Sequence, residues 1–189
     1  MIGTKSIFTT IGFIIKKSIT FRQFMFGRYI LILFLALIFA SACSRLPDVQ
    51  GKGETFLQGV WNQDSIPNKA QLQNYTQHHF KFTCDSFYVD FNTHSKVNYY
   101  EEECFNNGVW KEYAKGTYQL RNDTLILVGD FTKPNYKQKV SGCYRNGRYI
   151  SSFKVKSWNA EQLDLENLGD QTEVKLKLKE KITCVQKAL

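Results

Sequence analysis

From Phe56 almost to the C-terminus, apolar and polar residues alternate with period two, the pattern of strands that bury one face. In 86–92, for example, Phe87, Val89 and Phe91 share one face while Tyr88 and Asp90 take the other. Ten stretches carry this signal: 56–61, 78–84, 86–92, 96–102, 109–120, 124–131, 136–142, 148–156, 162–167 and 172–182. Turn residues separate the later ones. Asn122-Asp123 is a two-residue link of hairpin type, followed by Asn146-Gly147, Ala160-Glu161 and Gly169-Asp170. Only Pro67–Tyr75 reads as helix, with Ser65 as a cap and Pro67 in the first turn. Short links between successive strands make an antiparallel meander. A meander of eight to ten strands closes on itself because closure removes its exposed edges. The predicted fold class is all-β, an 8–10-stranded barrel with one short helix.

A different pattern precedes the strands. Tyr29–Ala42 is fourteen residues without a charge, shorter than the about 20 that a membrane-spanning helix needs. Arg28 stands before it and Ala40-Ser41-Ala42 ends it, so 1–42 reads as a signal peptide. A leader that starts at Met25 has ordinary length, and 1–24 then reads as an upstream extension. Ala40–Cys43 resembles the lipobox of bacterial lipoproteins, whose cysteine is acylated and becomes the first residue. Ala40 departs from that pattern, in which leucine is commonest, and ordinary secretory cleavage after Ala42 is the alternative. The resemblance implies lipidation of Cys43 and a membrane anchor. Ser44, in place of an aspartate, resembles the outer-membrane sorting signal of Gram-negative bacteria, which places the protein on the periplasm-facing side of that membrane. Residues 43–54 are polar, with Pro47, Gly51 and Gly53, and read as a tether. Residues 55–189 form the domain.

Setting the leader apart changes the charge. The whole chain has 25 Lys and Arg against 17 Asp and Glu. Five of the basic residues and none of the acids lie in 1–42, so the rest carries +3, a balance that points away from nucleic acid. Cys84, Cys104, Cys143 and Cys184 are an even set in an exported chain and predict two disulfides, with three possible connectivities. Cys84–Cys104 with Cys143–Cys184 is favoured, because the first pair closes a short local loop. No C-x-x-C and no common zinc spacing is present, so neither a metal nor a cofactor is expected.

Gly59-Val60-Trp61 resembles the Gly-x-Trp motif of lipocalins, in which the Trp plugs the closed end of the barrel. GTYQLRNDTLIL at 116–127 resembles the Gly-x-Tyr hairpin of bacterial lipocalin-like lipoproteins, and the chain from Cys43 onward is similar to a group of small lipoproteins of that kind. The resemblance implies a non-catalytic barrel that takes a small apolar ligand or an envelope partner. Trp61, Phe80, Phe82, Trp110, Tyr118 and Phe153, from the inward phase of each strand, are the interior and ligand candidates. They could equally fill a solid core, since an eight-stranded barrel is just wide enough for side chains or one small ligand. An enzyme is the rival class. Some members of the group carry a fumarate hydratase label, but neither fumarase pattern is present and the chain beyond 42 contains no Met.

The remaining chemistry has bland readings. His78-His79 cannot chelate one metal from a strand, because neighbours point to opposite faces. His94 reads as a turn residue, and Glu101-Glu102-Glu103 as a solvated strand end. In the last strand Val174, Leu176 and Leu178 face in while Lys175, Lys177 and Lys179 face out. Lysine on an outer strand protects an edge; the alternative is a basic strip for anionic lipid or polysaccharide.

Overall fold

The computed structural model describes residues 49–188. The leader, the Met25 start and the Cys43 junction lie outside the described residues. Eight strands form one closed antiparallel barrel: β1 (Gly59–Asn62), β2 (Asn74–Thr83), β3 (Ser86–Ser95), β4 (Val109–Arg121), β5 (Thr124–Thr132), β6 (Arg148–Trp158), β7 (Gln162–Asn167) and β8 (Glu173–Lys181). Each strand pairs with its sequence neighbour, and β1 closes the circle against β8. The alternation in sequence becomes alternation in burial; along β3 every second residue from Phe87 to Ser95 is buried.

The links sort by end. At one end the turns are short, as at Cys84-Asp85 and Asn122-Asp123, where Asn122 adopts φ 55°. At the other end lie 63–73, 96–108, 133–147 and 168–172. The short-turn end is closed. Gln58 is buried there and clamps residue 84, its Oε1 accepting from Cys84 N (2.6 Å) and its Nε2 donating to Cys84 O (2.8 Å). The Tyr118 hydroxyl also donates to Cys84 O (2.7 Å) and accepts from Glu54 N (3.0 Å). Trp61 Nε1 donates to Leu57 O (2.7 Å) over a core that includes Phe80, Phe82, Leu125 and Phe153. Gly116 and Gly129 face each other across β4 and β5, and a Cβ on either would collide with the partner strand's backbone.

Several expectations need correction. The stretches 96–102 and 136–142 are not strands. Asn98 accepts from Tyr100 N (2.9 Å) in a local turn, and Tyr136, at φ 56°, breaks the extended run before a single bridge at Gln138. Pro67–Tyr75 holds only a 3₁₀ turn at Lys69–Gln71, because Asn68 is left-handed without a capping bond and Tyr75 is taken by the β2–β3 ladder. Among the described residues the one α-helix, α1, is Glu102–Phe105, inside the acidic stretch read as a strand end. His94 belongs to β3, its ring stacked on Tyr75 at 4.8 Å. The last part of the expected tether is docked: Val49 bridges to Ala188, Gln50 Nε2 donates to Ser86 Oγ (2.7 Å), and Gly51 N donates to Asp85 Oδ2 (2.9 Å). The β8 lysines face solvent, but β8 has a partner on each side, so they guard no free edge. Lys177 and Lys179 lie 4.0 and 3.3 Å from Asp64, exposed pairs that contribute little.

The disulfides are Cys84–Cys184 and Cys104–Cys143, not the local pairing. Cys84 sits at the closed end and Cys104 in α1 at the other. The ten-residue β3 between those ends spans roughly 33 Å, far beyond disulfide reach. The chain after β8 instead brings Cys184 back to Cys84.

Because Gln58 satisfies both backbone groups of Cys84, Gln58→Leu should destabilise the oxidised protein by about 2–3 kcal/mol in urea unfolding. A loss below about 0.5 kcal/mol would show that the clamp is dispensable.

Candidate functional site: a polar chamber in the open mouth

The barrel is filled at the closed end and open at the other. A cavity of about 1070 Å³ opens among the long links, at the upper end of the range typical of ligand pockets. Its walls include His78 from β2, Phe91 from β3, Trp110 and Glu112 from β4, Phe131 from β5 and Tyr149 from β6, with Gln63, Tyr100, Arg145 and Asp170 from the links.

Glu112 is the chemical centre of this chamber. Strand alternation puts Trp110, Glu112 and Ala114 on the inward face, so a carboxylate occupies a core position and is buried. An unpaired charge there costs several kcal/mol. Arg145, from 133–147, meets it with Nε on Oε1 (2.9 Å), Nη2 on Oε2 (2.9 Å) and its backbone N on Oε1 (3.0 Å). Trp110 Nε1 adds a fourth donor to Oε2 at 3.2 Å. The guanidinium also lies 5.1 Å from the Phe91 ring centroid and 4.8 Å from that of Phe131, a two-ring setting that favours a cation. Burial would lower the Arg145 pKa, but the Glu112 carboxylate outweighs it and the net shift is upward.

The two long links that carry these groups are fastened together. Cys104–Cys143 joins 96–108 to 133–147. Tyr144 stacks on Trp110 at 5.5 Å, and Tyr100 meets both rings edge-on at 5.3 and 5.2 Å. Lys139 Nζ donates to the carbonyls of Cys143 and Arg145. On the outer wall the Tyr136 hydroxyl donates to Asp90. Trp110 is therefore covered on its faces, a clamp for the links more than an open platform.

Of the two neighbouring histidines, His78 turns inward, partly buried between Phe80 (5.7 Å, stacked) and Phe91 (5.5 Å, edge-on). Its Nδ1 lies 3.1 Å from Gln63 Oε1. Burial first, and the Arg145 charge second, lower its pKa to about 4. It is neutral at physiological pH. Burial pushes the Tyr149 phenol up to about 12, so it stays protonated. Among the described residues, no three His, Cys, Asp or Glu side chains are grouped to hold a metal ion.

Of the interior residues picked from strand phase, Trp61, Phe80, Phe82, Tyr118 and Phe153 are buried in the core, and none lines the chamber. Trp110 alone does. Glu112, Arg145, Tyr149 and Gln63 belong to no motif in the sequence. Only Glu112 left a signal, as a charged residue in the inward register of a strand. No family model, curated protein or solved structure matches the chain.

His78 has a folded pKa below its unfolded value near 6.5. The stability this contributes is full above about pH 6.5 and is lost as pH falls toward 4. Between pH 7 and 4.5 the wild type should lose about 2–3 kcal/mol more than His78→Gln in urea unfolding. Equal losses in the two proteins would contradict this environment for the ring.

Proposed function

We propose that this protein is a lipid-anchored, non-catalytic binding protein of the bacterial outer membrane, facing the periplasm, whose lipocalin-like barrel takes a small ligand through its open mouth. The observation that carries the reading is the cavity of about 1070 Å³ at one end of a barrel whose other end is packed solid. Its aromatic walls suit an apolar body, and its few fixed polar groups suit orientation. Catalysis draws little from the same groups. The Glu112 carboxylate already accepts four hydrogen bonds, and the one inward histidine is engaged with Gln63.

The anchor fits this reading. Acylated Cys43 would stand six residues before Val49, a reach of at most about 20 Å. Val49 is bridged to Ala188 beside the closed end. Anchoring there draws the solid end toward the bilayer and leaves the mouth facing the periplasm.

A neutral apolar dye, N-phenyl-1-naphthylamine, tests the chamber directly. It should bind the wild type at micromolar concentration with enhanced fluorescence. Thr93→Trp, which fills the chamber from β3, should weaken binding at least tenfold. Equal binding by both would place the dye elsewhere, and no binding would leave a structural or protein-interaction role. The anchor is checked by fractionation: Cys43→Ser should move the protein from membranes to the soluble fraction, and retention would sink that part.

A further inference from the structure

Arg145 has more donors than its partner uses. A guanidinium presents two edges that each match a carboxylate, the side-on Nε/Nη2 edge and the end-on Nη1/Nη2 edge. Glu112 occupies the side-on edge. Nη1 has no hydrogen-bond partner among the described residues. The two ends of the pair also differ in exposure: the Glu112 side chain is 3% exposed and that of Arg145 is 47% exposed, in the chamber wall. The acid is hidden behind and the fork is presented in front.

That fork cannot swing away. The Phe91 and Phe131 rings flank it, the Arg145 backbone N is tied to the same carboxylate, and Cys104–Cys143 fixes the link it comes from. A guanidinium fixed in advance loses little freedom when it binds a second anion. The Glu112 carboxylate lies behind the fork, its two oxygens occupied by four donors. Arg148, exposed at the start of β6 beside the buried Tyr149, borders the chamber at its rim. Asp170, the other lining acid, belongs to the β7–β8 turn, where its Oδ1 accepts from Thr172 N at 3.1 Å.

We propose that the ligand is an amphipathic monocarboxylate, its carboxylate set end-on against Arg145 and its apolar body lying along the aromatic walls of the chamber. The inference rests on the mouth being a binding site and names the ligand class for it. It explains why a loop clasp that an apolar contact could have made is built from an arginine with one edge left open. The uncharged probe of the preceding section then reports only the apolar half of the recognition.

The test compares two probes that share one body, 1-pyrenebutyric acid and its methyl ester, at pH 7 on the full-length protein. The acid should bind about tenfold more tightly than the ester, as one charge-assisted, two-pronged contact supplies. Arg145→Lys keeps the charge beside Glu112 but removes the end-on fork. It should erase the preference for the acid, measured as the ratio of acid to ester affinity within the same variant. If neither probe binds, the mouth is not a binding site and the functional reading itself fails. If the ester binds as well as the acid, or Arg145→Lys keeps the full preference, the chamber binds apolar bodies and the carboxylate assignment is wrong.

Discussion

Everything in this fold depends on closing the sheet through β1. That strand has four residues and must satisfy β2 on one side and β8 on the other. So short a strand closes a barrel only if something fixes it from outside the ladder. The fixing comes from just before it, where Leu57 and Gln58 are buried, and from Trp61 within it. Gln58 ties this approach to the β2–β3 turn at Cys84, and Cys84–Cys184 ties that turn to the chain after β8. A cross-link between residues 100 apart in sequence constrains the unfolded chain strongly. The closed end thus holds the seam from three directions.

Anchoring the seam at one end leaves the other end free to open between the long links. The long links that surround the mouth would otherwise be the least constrained parts of the barrel. A second cross-link, the aromatic trio of Tyr100, Trp110 and Tyr144, and the Glu112–Arg145 pair hold two of them. An ion pair with one buried partner is a weak source of net stability, since desolvation of that partner offsets much of its Coulombic gain. Its value here is positional. It sets one guanidinium at one orientation in the chamber wall.

The period-two pattern made most of the strands legible, because each buries one face: β3, β4, β5, β7 and β8 lie where alternation placed them. The same pattern misled at 96–102, where a side-chain-to-backbone turn at Asn98 overrides it, and at 136–142, where left-handed Tyr136 does. Strand phase told which way Phe80, Phe82 and Phe153 point, but not at what height along the barrel they lie. Height decides whether a ring fills the core or lines a chamber. The disulfide pairing was hidden for a related reason: closeness in sequence carries no information about which end of a barrel a turn occupies. Glu112 was readable as a charge in an inward register. Arg145 was not, because it comes from a link with no periodicity to place it.

Organic extraction of the purified full-length protein, followed by mass spectrometry of what is released, probes the open mouth without any choice of probe. A filled chamber should release a small molecule in near-stoichiometric amount from the wild type and little from Thr93→Trp. Equal release from both proteins, or only trace release from the wild type, would contradict a ligand-holding mouth.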